Sequence, residues 1–370
     1  MKKIVCIFIT LILMITFCMT TNASNELAND SKSAILIEST TGEIVFSKDE
    51  NTRRSPASMT KIMSLKIILD CYNDNRFTMD DLVTTSEYAS SMGGSQIFLS
   101  VGEKMPVKDL IKSIAIASAN DACVAMAEFL CGSEAEFVRK MNDEAKKMGL
   151  KNTHFENATG LPIQNHYTSA YDIALIAREL INKHGDIILP ITSKYDDYVR
   201  EGTEKQFWLV NTNKLVKFID GVDGLKTGWT VEAGYCLTAT IKKNDIRFIA
   251  VSMGAETAKK RNNDVVDMLN YGVANYELVS IYKKGEVIKT IEDFKSMPNL
   301  YHLVTVEDIT ILKKKQEKIG NVETIVEDNI LKVYIDGEFY KETELEILEE
   351  VEKANFFEII LRLLKQLLLD

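Results

Sequence analysis

Strand-patterned segments at both ends of a long helical stretch constrain the fold of this chain more than any other feature. Ala34-Ile35-Leu36-Ile37 and Ile44-Val45-Phe46 flank Thr40-Thr41-Gly42 and read as a hairpin. Strand patterns return at Gly224-Leu225-Lys226-Thr227-Gly228, at Tyr235 to Ile241 and at Ile246 to Met253, with Lys242-Lys243-Asn244-Asp245 as the turn between the last two. Between these ends the apolar period is helical: Ile62, Met63, Leu65, Ile68 and Leu69, then Leu110, Ile111 and Ile114, then Ala122, Met126 and Leu130, then Ile173, Ile176 and Leu180. A further helix is expected over about 257–276. A two-stranded hairpin alone is at best marginally stable, so the distant segments are expected to share one sheet with helices against it, a mixed α/β (α+β) architecture.

Composition narrows the class. At 370 residues and 46% hydrophobic content the chain is globular and long enough for two or three domains. A net charge of −10 lacks the basic field that nucleic acid would require. Lys2 and Lys3, the apolar run from Ile4 to Met19 and the small-residue site Thr21-Asn22-Ala23 read as an export signal over 1–23. Beyond it, Cys71, Cys123, Cys131 and Cys236 sit in apolar contexts with no C-x-x-C pattern, as buried free thiols do. The four histidines have no metal spacing, so neither a metal nor a cofactor is expected.

After Lys283-Lys284-Gly285 the texture changes. Short alternating runs such as Ile309-Thr310-Ile311-Leu312 and Leu331-Lys332-Val333-Tyr334-Ile335 indicate a small β-rich domain over 281–342, following a larger domain over 24–280. From about Thr343 to Asp370 the pattern is helical. Phe356, Phe357, Ile359, Ile360, Leu361, Leu363, Leu364 and Leu367 to Leu369 cover most of its surface, and Asn355, Glu358, Arg362, Lys365 and Gln366 form one narrow polar face. Charges interrupt a segment near the lower length limit for a span, so an amphipathic helix lying in the plane of a membrane is expected.

The chemistry is carried by three short motifs in order. Pro56-Ala57-Ser58-Met59-Thr60-Lys61 opens a helical run, and positions three apart share a helix face, so the Ser58 hydroxyl and the Lys61 amine point the same way. A serine becomes a nucleophile when a base takes its proton, and a lysine whose pKa is lowered serves as that base. The spacing alone is weak, because Ser280-Ile281-Tyr282-Lys283 matches it too. Ser118-Ala119-Asn120 then falls between two helical runs, and Lys226-Thr227-Gly228 lies on an expected strand. S-x-x-K, S-x-N and K-T-G in this order are a known acyl-transfer signature.

With these motifs the chain resembles the serine D-alanyl-D-alanine carboxypeptidases, the low-molecular-mass penicillin-binding proteins. Asp121-Ala122, Asn157-Ala158-Thr159-Gly160-Leu161, His166 to Asp172 and Val222-Asp223-Gly224-Leu225 extend the resemblance across about 30–280. It implies a penicillin-binding, β-lactamase-like transpeptidase domain with an antiparallel sheet flanked by helices. The implied reaction removes the terminal D-alanine of a peptidoglycan stem peptide through an acyl-enzyme on Ser58, with β-lactam antibiotics as inhibitors. Lys61 is then the base, aided by the second cation Lys226, with Ser118 a proton relay and Asn120 a support for Lys61 and a substrate carbonyl. Lys226 and Thr227 suit the substrate carboxylate, Gly228 leaves room along the strand, and the N–H groups of Ser58 and Trp229 suit an oxyanion. Some members carry an arginine shortly before K-T-G, whereas this chain reads Asn211-Thr212-Asn213-Lys214, which leaves Arg247 as a candidate. The enzyme is expected on the outer face of the cytoplasmic membrane, held peripherally by its last helix. Alternatives are cleavage of peptide cross-links by the same site, a β-lactamase, or an idle binding module. A class A β-lactamase needs a glutamate-held water, and Glu179-Leu180-Ile181-Asn182 lacks that pattern.

Overall fold

The computed structural model describes residues 27–369, so the expected export signal over 1–23 lies outside the described residues. The two ends of the helical stretch do meet in one sheet. Its five antiparallel strands run in the order Ile44–Lys48, Ser33–Glu38, Ile246–Ala255, Gly234–Lys243 and Val222–Thr230. Ser33–Glu38 is buried along its whole length because both faces of the sheet are covered. Ile35 and Ile37 face the helical middle, packing in one cluster with Ile62, Leu65 and Leu69. Ala34 and Leu36 face the other way, into a cluster with Val265, Met268 and Leu269 of the helix Ala258–Asn275. That alternation is the strand period of two, with an apolar partner supplied on each side.

The helical middle comprises Lys61–Asn73, Val107–Ile116, Asn120–Cys131, Glu134–Lys147 and Ala170–Thr192. Their ends follow capping chemistry: Ser133 accepts from the Glu136 N–H, Ser169 accepts from the Asp172 N–H, and Gly132 closes Asn120–Cys131 at φ +79°. Lys66, fully buried, is neutralised by Asp70 and Glu144, each at 2.7 Å, and His184 bonds Asp70 at 2.8 Å where the longest helix kinks. The buried charge of Lys66 therefore comes with its counter-charge.

From Tyr276 to Lys353 the chain is built of strands. Tyr276–Tyr282 pairs with Ile309–Lys314, and a second five-stranded sheet runs Val287–Glu292, Leu300–Thr305, Glu338–Ile347, Ile330–Ile335, Val322–Glu327. Its core is small, centred on Leu303, Ile309, Leu331, Val333 and Leu345. Tyr340 ties it to the first sheet by donating to Glu43 Oε1 at 2.7 Å. The helix expected from about Thr343 begins instead at Phe356, because Thr343, Leu345 and Ile347 continue the alternation of Glu338–Ile347. Arg362 fastens that helix to the body through the carbonyls of Phe294 (3.0 Å) and Ser296 (2.7 Å). Phe356, Phe357, Leu361, Leu363 and Leu364 stay exposed. Among the described residues no helix is long and apolar enough to cross a membrane.

Candidate active site

Pro56 leads into a single 3₁₀ turn, Ala57–Thr60, before the α-helix proper starts at Lys61. The tighter turn puts Ser58 and Lys61 nearly in line, since side chains three apart eclipse in a 3₁₀ helix. Lys61 Nζ lies 3.2 Å from Ser58 Oγ. Ala57 holds φ +46°, a conformation that costs an alanine energy and that the surroundings must enforce. Two glycines press on this turn. A Cβ on Gly160 would fall 1.8 Å from the Ala57 carbonyl oxygen, and one on Gly228 would fall 2.7 Å from that of Pro56. Only glycine permits such approach, so the loop at 157–161 and the strand Val222–Thr230 both close directly on the nucleophile.

Lys61 is fully buried, and besides Ser58 it reaches Asn120 Oδ1 at 2.6 Å and the Thr159 carbonyl at 2.7 Å. A neutral amine can donate two N–H bonds to these oxygens and keep its lone pair for the Ser58 hydroxyl. Burial lowers its pKa to about 8, opposed in part by Cys123 and Asp121. Burial, rather than the nearby Lys226, is thus what brings the amine towards neutrality. The Cys123 thiol is itself pushed up to about 11 by burial, which leaves it protonated and unsuited to attack. Lys226, 1% exposed, is lowered well below the ordinary lysine value by burial and then by the charge of Lys61. Its Nζ donates to the Thr227 carbonyl at 3.1 Å, and among the described residues no carboxylate pairs with it.

Ser118 sits between Val107–Ile116 and Asn120–Cys131 at φ +64°, and its buried hydroxyl has no hydrogen-bond partner among the described residues. An unsatisfied buried hydroxyl is costly, so a role in chemistry is the natural reading. Asn120 accepts from Lys61 with its Oδ1 and gives one N–H of its Nδ2 to the Gly93 carbonyl at 2.7 Å. Thr227 is nearly buried and Trp229 is 55% exposed, on the open edge of the sheet, where backbone groups are free to pair with an extended ligand.

Sequence reasoning missed several supports. Asp121 accepts from the Ile97 and Leu99 N–H groups, fixing the segment opposite the nucleophile. Asn157 Oδ1 accepts from the N–H groups of Thr159 and Gly160, shaping the loop that offers its carbonyl to Lys61. His166 is buried against Thr60. Its Nδ1 accepts from the Glu156 N–H, so Nε2 carries the proton and donates to Thr60 Oγ1 at 2.8 Å. Burial lowers it to about 4, helped by His154 and Lys61, so it stays neutral. The Asp121–Ile97, Asp121–Leu99 and His166–Thr60 contacts join residues far apart in the chain and have no short-range signature, whereas Asn157 makes a turn within its own loop. Arg247 does not supply the missing arginine: both its terminal nitrogens hold Asp223 at 2.7 Å. Glu179 pairs with Lys183 at 2.6 Å and Asn182 bonds Ser39, so that stretch ties helix Ala170–Thr192 to the first sheet.

A serine poised on a buried lysine, beside an unpaired hydroxyl and an open glycine-bearing strand, defines an acyl-transfer hydrolase of the serine–lysine class. Comparison with known proteins narrows this. Residues 19–257 match the family described as D-alanyl-D-alanine carboxypeptidase, and the chain belongs to that family. It is similar to the D-alanyl-D-alanine carboxypeptidase DacF of Bacillus subtilis, 46% identical with 98% of each chain covered. It is also similar to DacA of Escherichia coli, 31% identical over 91% of this chain and 87% of that one. Among solved structures, penicillin binding protein 5 from Haemophilus influenzae superposes with a TM-score of 0.76 at 27% identity, covering 87% of this chain and 97% of that one.

Proposed function

We propose that the protein acts as a serine D-Ala-D-Ala carboxypeptidase on peptidoglycan stem peptides, with Ser58 as nucleophile and Lys61 as its base. The observation that carries the assignment is the Lys61 amine, buried, near pH-neutral poise, and bonded at once to Ser58, Asn120 and Thr159. Ser58 Oγ attacks the carbonyl carbon of the penultimate D-alanine as its proton passes to Lys61 Nζ. The oxyanion accepts from the N–H groups of Ser58 and Trp229. The C–N bond then breaks, and the departing D-alanine amine takes a proton through Ser118. Water hydrolyses the ester and frees Ser58. Lys226 and Thr227 receive the terminal carboxylate: the carboxylate favours the protonated form of the buried Lys226 amine, which then supplies charge, and the Thr227 hydroxyl supplies direction. A β-lactam follows the same first step and leaves its own ester on Ser58.

Peptidoglycan lies outside the cytoplasmic membrane, so the enzyme works there. The last helix supports a peripheral attachment. Arg362 turns towards the body and Glu358 closes the start of its own helix at the Asn355 N–H, while the exposed phenylalanines and leucines offer an apolar surface suited to the acyl boundary of a lipid leaflet. Incubation with a pentapeptide ending in D-Ala-D-Ala tests the activity: free D-alanine in amounts matching the peptide consumed is expected. Labelling of Ser58 by penicillin with no D-alanine release from any such peptide would overturn it.

A further inference from the structure

Two strands outside the main sheets, Asp196–Val199 and Phe207–Val210, form a hairpin beside the catalytic groove. Its two faces differ. Val199 and Leu209 point inwards and are buried, and Phe207 on the same face sets its ring edge-on to Phe98 with centroids 5.9 Å apart. Tyr198 and Trp208 point the other way, directly opposite each other in the register, and are 40% and 53% exposed. Neither ring pairs with another ring among the described residues. A single surface aromatic needs no explanation, but two side by side on one face mark a contact surface. The hairpin is also held rigid. Lys112 Nζ donates to the Tyr198 carbonyl at 2.7 Å, and Arg200 at the tip pairs with Glu103 at 2.6 Å and donates to the Ile97 carbonyl at 2.9 Å. Asp121, next to Asn120, accepts from the Ile97 N–H, so the hairpin stands on a wall of the groove.

Polar groups surround the aromatic pair. Asp196, exposed two residues before Tyr198, shares its face, and its carboxylate has no hydrogen-bond or ion-pair partner among the described residues. At the foot of the hairpin, Lys214 and Lys217 hold their ammoniums 4.8 and 4.2 Å from the centre of the Tyr195 ring, and among the described residues no carboxylate pairs with either. A lipid leaflet or a second copy of the chain favours a continuous apolar face, and charge interrupts this one. A sugar chain suits it better. The negative face of an aromatic ring attracts the polarised C–H bonds of a pyranose, while hydroxyl and acetamido groups at the sugar's rim need polar partners. Opposite residues of an antiparallel pair have Cβ atoms about 5 Å apart, the scale of one sugar unit. We propose that this face is a second binding site, for the glycan strand of peptidoglycan. Two consecutive N-acetylated amino sugars stack on Tyr198 and Trp208, Asp196 accepts from their hydroxyl groups, and Lys214 and Lys217 take carboxylates borne by the strand. The choice of glycan rests on peptidoglycan being the substrate, as read above, while the site itself lies outside the peptide groove.

The probes are glycan strands stripped of their stem peptides by an amidase, and a neutral hexamer of N-acetylglucosamine, with binding read by calorimetry. Trp208→Ala and Tyr198→Ala should each weaken both probes about tenfold, the scale of one aromatic contact. Lys214→Gln combined with Lys217→Gln should weaken only the strands, by about threefold, with the difference vanishing at high salt. Penicillin labelling and D-alanine release from a free pentapeptide should match the wild type in every variant, which also shows that each one folds. No binding of either probe by the wild type, or binding that both aromatic variants leave unchanged, overturns the site and leaves the carboxypeptidase reading intact. So does a Trp208→Ala protein that loses only sedimentation with anionic vesicles, or only self-association, because the face then belongs to lipid or to a second copy. Glycan binding by protein that frees no D-alanine from any pentapeptide supports the site and overturns the catalytic reading alone.

Discussion

The S-x-x-K spacing occurs twice, at Ser58–Lys61 in the helix-covered body and at Ser280–Lys283 in the strand-built tail, and the two copies have opposite fates. Ser58 begins a 3₁₀ turn that stacks its hydroxyl on a buried amine. Ser280 lies on the strand Tyr276–Tyr282, exposed, with its hydroxyl near the Tyr282 carbonyl at 3.4 Å. Residues three apart on a strand point to opposite faces, so no serine–lysine pair forms there. Burial differs as sharply. The body encloses Lys61, Lys66 and Lys226 at 1% exposure or less, while the tail strand Val322–Glu327 alternates half-buried and exposed residues. A lysine becomes a base only where a thick core takes water away from it, and the tail has no such core.

The largest contrast is expected from the two serines. Ser58→Ala should abolish both penicillin labelling and D-alanine release, and Ser280→Ala should alter neither; labelling that survives Ser58→Ala would remove the assigned nucleophile.

Next in size is the base. Arginine keeps the charge at position 61 and does not lose it near neutral pH, so Lys61→Arg should slow acylation by about 10³-fold or more. In the wild type the neutral amine is the active form. With its pKa at about 8, the penicillin acylation rate should climb as pH rises and level off above that value. A rate independent of pH between 6 and 9, or an active Lys61→Arg enzyme, would place the base elsewhere.

In the tail the same logic predicts stability effects without catalytic ones. Leu331 is fully buried in its small cluster, and Leu331→Ala should destabilise the tail by about 2–4 kcal/mol, read as an earlier circular-dichroism transition in urea. Turnover of a short peptide should not change. A matching loss of kcat would show that the tail sheet sets the geometry around Ser58.

The smallest expected effect on chemistry comes from removing the last helix. Protein ending at Lys353 should turn over a soluble peptide as the full chain does, yet fail to sediment with anionic vesicles, whereas the full chain should sediment. If both forms stay in the supernatant, the exposed leucines of Phe356–Leu369 serve some other contact.

Much of this could be read from the chain alone. Local periodicity located the helices and strands, because burial on one face repeats at the pitch of each element, and the three ordered motifs marked Ser58, Lys61, Ser118, Asn120 and Lys226. Short-range pattern carries no information about contacts between distant segments, and those decided the rest. Burial of Lys61 rather than its neighbour Lys226 sets its pKa, the Thr159 carbonyl from a distant loop anchors it, and His166 braces Thr60 as a neutral donor. Arg247, free to be a carboxylate ligand in the sequence, is held by Asp223 in the fold. The start of the last helix moved from Thr343 to Phe356 for the same reason: strand pairing with Ile330–Ile335 outweighs local helical pattern when the partner comes from elsewhere in the chain.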